Sequence, residues 1–295
     1  MGITDDIKNS FRQGSTLTRL IYLNLGLFLA VQIVRMVLFM SNSNGLFESF
    51  IRLLAVPADK ALLIRRPWTL ITYMFLHVDF IHILFNLLWL YWFGRVFMQE
   101  MGQKKLLSTY LIGGISGGLL YGLFYNNFAV FSNVLPVSYA MGASASVMAI
   151  VIATATYRPN MELHLVLIGR VKIIYIALAM FILTTLVDFS VNTGGKIAHI
   201  GGALAGFIIA YYSRKGRDIT KGFDRIMDQI ATWVKPRPRD MKVSYKRPAD
   251  DIEYNKVKAE EQQEIDRILD KISKAGYDSL SAREKEILFK MSNKK

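Results

Sequence analysis

Runs of apolar residues long enough to cross a bilayer recur through the first two thirds of the chain and stop near Ser213. The first, Leu20 to Met40, is interrupted only by Asn24, Gln32 and Arg35. A helix needs about 20 such residues to cross a hydrocarbon core of roughly 30 Å. Within that core every peptide group must be bonded inside the protein, which leaves helices and closed barrels as the only spanning structures. Six runs can be counted, with 52% of the 295 residues hydrophobic and a mean hydropathy of +0.28. An ordinary soluble domain is excluded, and the expected fold class is an all-α polytopic membrane protein. The organisation read from composition is a cytoplasmic head at 1–18, a six-span domain at 19–213, a basic proline-containing linker at 214–250 and a helical hairpin at 251–295.

The remaining spans read as His77 to Arg95, Leu106 to Tyr125, Met141 to Tyr157, Ile173 to Phe189 and Ile197 to Tyr212. The first run follows a mixed-charge head (Asp5, Asp6, Lys8, Arg12, Arg19) without a small-residue cleavage site, so it reads as a retained span. Between the first two runs, Phe47, Phe50, Ile51, Leu53 and Leu54 fall at helical spacing among charges, the pattern of an interfacial amphipathic segment. Gly114, Gly118 and Gly122 make a stripe on the third span that permits close helix approach. The stretch 158–172, with His164, Arg170 and Lys172, reads as a polar loop. Lys and Arg are dense in the head, around 95–105, at 158–172 and in the tail, while 126–139 has none, which places both termini in the cytoplasm; the long first connection, also basic, is the exception, and the rule weakens for longer loops and interfacial helices.

The net charge of +13 sits mostly at span ends and in the tail, and no aromatic-interleaved basic groove is visible. The bilayer and its anionic headgroups are therefore the expected partner, not nucleic acid. Cysteine is absent, which removes disulfides, thiolate nucleophiles and thiolate-held metals. In the tail, Ile265, Ile268, Leu269 and Ile272 form a helical stripe closed by Gly276, and Ser281 to Glu284 is a capping box. So small a hairpin buries little core alone and leaves a face for the membrane domain or a cytoplasmic partner.

Candidate chemistry centres on GASASVMAI, Gly142 to Ile150, where Ser144 heads an apolar run. With both termini inside, the second, fourth and sixth spans begin at the outer face, which brings Ser144, His199, His82 and Asn86 to one depth. His82 and Asn86 lie four apart on one helical face. His77 and His82, five apart, lie roughly 140° from each other around the helix and so are not expected to aim at one point. His199, Gly202 and Gly206 share a face whose glycines would let the sixth helix close on a serine–imidazole hydrogen bond. A polar residue within a span is expensive and marks function by default.

These stretches, HVDFIHILFN in the second span, GASAS at the head of the fourth and AHIGGALAG in the sixth, resemble the rhomboid family of intramembrane serine proteases over roughly Arg19 to Arg214. The resemblance implies a rhomboid-like six-helix bundle and a catalytic dyad of Ser144 as nucleophile and His199 as general base and acid. It further implies oxyanion binding near His82, Asn86 and Gly142, close helix packing at Gly202 and Gly206, no cofactor and no metal. Substrates would be single-span membrane proteins, and the setting a bacterial inner membrane. Ala145 stands where the family often has glycine, and Met148 where an aromatic residue often meets the histidine. The pair Trp68-Thr69 stands where a Trp-Arg pair is usual. A third catalytic group at Asp188, a zinc site on His77, His82 and His199, a client-binding relative without cleavage, and a transporter are the competing readings.

Overall fold

Ser15 opens the first span, its hydroxyl accepting the Thr18 N–H to cap helix α1 (Thr16–Met40). This computed structural model describes residues 9–11, 13–165, 169–187, 192–234 and 251–292. The chain then turns into the amphipathic helix α2 (Asn44–Leu54), a two-residue strand β1 (Val56–Pro57) and the short helices α3 (Lys60–Arg65) and α4 (Thr69–Thr72). Trp68 and Thr72 fasten this segment, the indole N–H donating to Leu53 O at 3.0 Å and the Thr72 hydroxyl to Leu54 O at 2.6 Å. Arg66 donates to Arg52 O at 3.2 Å, so an arginine anchors the loop from two positions before the tryptophan.

Helix α5 (Phe80–Met101) begins at Asp79, whose carboxylate accepts the His82 N–H at 2.7 Å, and α6 (Gln103–Asn127) follows after Gly102. Strand β2 (Tyr139–Ala140) pairs antiparallel with β1, Val56 opposite Ala140, just ahead of α7 (Ser144–Tyr157). A hairpin, β3 (Glu162–Leu165) with β4 (Gly169–Lys172), leads into α8 (Ile173–Phe181) and a π-helical turn at Ile182–Leu186. Helix α9 (Thr193–Arg214) completes the bundle. α1, α5, α6 and α9 are long and apolar enough to cross a membrane, while α7 and the α8 segment are shorter apolar helices. The molecule is a multi-pass membrane protein of the all-α class, its strands confined, among the described residues, to two short antiparallel pairs.

The element boundaries differ from the sequence reading in informative ways. Within the stretch expected as a polar loop, residues 162–165 and 169–172 pair as strands, and Leu163 and Leu165 alternate with Glu162 and His164, a period-two signal. The sixth helix starts at Thr193, its N-terminus capped by Asn192. Phe189, the expected end of the fifth span, lies outside the described residues.

α7 is the hub, buried at every residue from Ala145 to Val151. α9 packs on it backbone to backbone: a methyl on Gly202 would sit 2.8 Å from the Ala145 carbonyl carbon, and one on Gly206 2.8 Å from that of Ala149. α6 closes on the other side, where a methyl on Gly117 would stand 2.6 Å from the Ala145 Cβ. The tight positions of α6 are thus Gly113, Gly114 and Gly117, while the expected Gly122 has only ordinary contacts. Gly117 leaves the room that the Ala145 methyl fills.

The chain divides into two compact units, Met1–Lys235 and Pro236–Lys295. The first includes α10 (Lys221–Val234), within the stretch expected as linker, because Phe223 and Met227 pack on the core and Asp224 bonds the Ser108 hydroxyl. Nearby, burial pushes the Asp218 carboxyl up, but bonds from Thr220 and Lys105 outweigh it and hold it below the usual aspartate range. In the second unit, α11 (Asp251–Ala275) meets α12 (Ala282–Ser292) around Ile268 and Leu280, both buried. Ser281 N–H donates to Glu284 at 2.7 Å and Glu284 N–H to the Ser281 hydroxyl at 3.4 Å, the reciprocal capping box.

Candidate active site

The segment before α7 is shaped by three fixtures. Gly142 takes φ +117°, a conformation that suits glycine, and its N–H donates to Tyr73 O at 2.8 Å. A methyl there would meet His82 Cε1 at 2.7 Å, so Gly142 brings the main chain against the His82 ring and its own N–H is engaged elsewhere. Ala143 N–H donates to His77 Nε2 at 3.1 Å, and the Asn86 side-chain amide approaches the same nitrogen at 3.4 Å. Two N–H donors converging on Nε2 assign His77 the tautomer protonated at Nδ1.

His77 is fully buried and its ring lies 5.3 Å from that of His82, edge to face. The expected divergence of the two rings is thus corrected: α5 starts at Phe80, so His77 lies on an extended strap where helical arithmetic does not apply. Asn86 also donates to His82 O at 2.9 Å, which fixes the side chain across one turn of α5.

A cavity of about 700 Å³ collects these elements. Ser144 and Met148 reach it from α7, His82 and Asn86 from α5, and His199 from α9. Ser144 is the first residue of its helix, and the first intrahelical N–H to find a partner is that of Val147, to Ala143 O at 2.9 Å. The preceding amides therefore belong to the positive end of the α7 dipole. His199 Nδ1 lies 3.4 Å from the Thr185 hydroxyl, and the Thr184 main chain also bonds the ring. Both threonines sit in the π-turn, whose wider spacing is seen in Val187 N–H to Ile182 O at 3.1 Å.

Gly202 and Gly206 hold α9 on α7 beneath His199. Thr184, Thr185 and Asn192 carry no signal that the sequence reading used, whereas Asp79, expected with His77 and His82 to form a polar ring that admits water, lines the cavity. The Asn-Thr-Gly-Gly turn was the available signal for Asn192, which caps α9 at φ +52° and lines the cavity. Asp188 lies outside the described residues. Among the described residues no group of three or more His, Cys, Asp or Glu could hold a metal ion.

A family model described as "Rhomboid domain" matches residues 65–216, just over half of the chain. The chain belongs to the rhomboid family. Among relatives of this rhomboid, RHOMBOID-like protein 12, mitochondrial, of Arabidopsis thaliana is 29% identical over 162 residues, 52% of this chain and 48% of that protein. Rhomboid-like protease 3 of Toxoplasma gondii is 30% identical over 165 residues, 53% and 56% of the two chains. Rhomboid protease AarA of Providencia stuartii is 30% identical over 150 residues, 46% and 52%. The chain spans about half the length of these curated relatives. A second model, a family of unknown function (DUF6576), matches residues 250–294.

Proposed function

We propose that this rhomboid is an intramembrane serine endopeptidase that cuts single-span membrane proteins through a Ser144–His199 dyad. The observation carrying this reading is that Ser144, His199, His82 and Asn86 line one cavity although they come from three separate helices. Ser144 Oγ attacks the scissile carbonyl carbon while His199 Nε2 takes its proton. The imidazolium then gives that proton to the leaving amine, and water hydrolyses the resulting ester by the same path. Thr185 and the Thr184 main chain engage the other side of the ring, which orients Nε2 toward the serine.

The oxyanion is held by the Ser144 N–H at the helix start and by the Asn86 and His82 side chains. Removing such a donor costs about 3 kcal/mol of transition-state stabilisation. Substrate backbone enters already hydrogen-bonded, so segments that unwind readily near the membrane edge are the preferred ones. The distribution of basic residues supports cytoplasmic termini, and the bacterial inner membrane is the setting carried over from the resemblance.

The test is labelling of the purified full chain by a fluorophosphonate probe. Wild type is expected to label and Ser144→Ala to remain unlabelled, with His199→Ala slowed by at least about a thousandfold. Equal labelling of wild type and Ser144→Ala would sink the serine-hydrolase reading and leave a rhomboid that binds membrane clients without cutting them.

A further inference from the structure

A second cleft, of about 640 Å³, opens between α1 and α2, away from the Ser144 cavity. Arg35 lines it from α1, Glu48 and Phe47 from α2, and Val78 from the strap that carries His77 and Asp79. Arg35 stands about 7.5 Å along the axis from the Met40 end of its helix. A guanidinium in a membrane-spanning helix needs a counter-charge or polar surroundings at the interface. Its guanidinium carbon is 5.9 Å over the Phe47 ring, and among the described residues no carboxylate stands within ion-pair distance of it. Glu48 holds only a loose pair with Arg52 at 3.7 Å and is 74% exposed at its side chain. The cleft therefore presents one cation, one anion and an aromatic face within a single concavity of ligand size.

We propose that this cleft binds a zwitterionic phospholipid with a primary ammonium, a phosphatidylethanolamine-type headgroup. Its phosphate meets the Arg35 guanidinium, which suits a phosphate's geometry, and its ammonium meets Glu48 beside the Phe47 ring. Met36 and Phe39, 55% and 70% exposed, continue from the cleft along α1 and supply the apolar track for acyl chains. That track distinguishes a lipid from free phosphate, and the carboxylate distinguishes it from a purely anionic lipid. Gln32 donates to Val78 O at 2.8 Å at the edge of the cleft, so a seated headgroup lies against the bond that ties α1 to the strap.

The experiment is native mass spectrometry of the full chain released from nanodiscs of equal phosphatidylethanolamine and phosphatidylglycerol. Wild type is expected to retain phosphatidylethanolamine preferentially. Arg35→Gln should retain roughly tenfold less of it, the loss of one charge-assisted hydrogen-bonded contact, while Arg35→Lys retains most. Glu48→Gln should lose the preference between the two lipids. Monodisperse elution and an unchanged Tm in detergent establish that each variant is folded. Retention by Arg35→Gln equal to wild type would overturn the proposal, as would equal retention of both lipids by wild type. Displacement of the lipid by inorganic phosphate, or by an acidic peptide but not by glycerophosphoethanolamine, would assign the cleft to those ligands instead and also overturn it.

Discussion

Gly202→Ala places one methyl group where α9 and α7 touch through their main chains. The new Cβ would stand 2.8 Å from the Ala145 carbonyl carbon, 3.1 Å from its Cα and closer still to its oxygen. Backbone cannot swing aside as a long side chain does, so the helices must separate by the order of an ångström. Overpacking of this kind costs about 1–3 kcal/mol, and His199 rides on the same turn of α9. A displacement of about 1 Å between reacting groups can lower a rate by about a hundredfold. Gly26→Ala is the matched control, because a methyl there meets nothing within 4 Å. The measurements are Tm and the rate of fluorophosphonate labelling, both in the same detergent. Gly202→Ala is expected to lose several degrees and about two orders of magnitude in rate, while Gly26→Ala matches wild type. Wild-type behaviour of Gly202→Ala in both assays would refute the claim that backbone contact sets the site.

Asn86→Ala removes the amide that lies between His77 Nε2 and His82 O, and labelling should fall by about a hundred- to a thousandfold; a loss below about threefold would remove Asn86 from the oxyanion-binding group. Thr185→Val deletes only a 3.4 Å partner of His199, so labelling should slow by no more than about tenfold at a shifted pH profile; an unchanged rate and profile would show the hydroxyl to be idle. Glu284 tests the C-terminal unit: the Ser281 N–H, then Lys271 and the Ser281 hydroxyl, hold its carboxyl down at about 2. Its folded value lies below the ordinary glutamate value of about 4.3, so its contribution is complete above that pH and lost as the pH falls through about 2. Amide exchange at residues 281–284 should stay protected down to about pH 4.5 and rise toward pH 2, whereas Glu284→Ala should be unprotected throughout; parallel pH profiles for the two proteins would refute the capping role.

The spans, the bundle and the residues that line the cavity were legible because they obey a single periodicity. Ser144 and Met148, or His82 and Asn86, are four apart on real helices, and the glycines at 202 and 206 mark close approach whichever helix they meet. The tail was legible for a related reason, since a capping box is a local pattern that its own hydrogen bonds complete. His77 was misplaced because Asp79 caps α5, so helical arithmetic starts there and His77 lies two residues upstream of the cap. The pairing of Val56 with Ala140 had no signal, since a two-residue ladder between segments more than eighty positions apart carries no pattern of its own. The role of Gly142 changed for the same kind of reason: only the tertiary arrangement assigns its N–H to Tyr73.

The brevity of α7 and α8 bears on the lipid around the molecule as well as on the site. A 14-residue helix rises about 21 Å, well short of a hydrocarbon core of roughly 30 Å. α7 is sheltered, but the α8 segment turns Tyr175, Leu178, Ile182 and Leu183 outward. Hydrophobic mismatch of that size is relieved by thinning the adjacent bilayer. Met180 and Thr184, which border the cavity, lie on this short segment, so the expected consequence of the mismatch is a thinner bilayer beside the cavity.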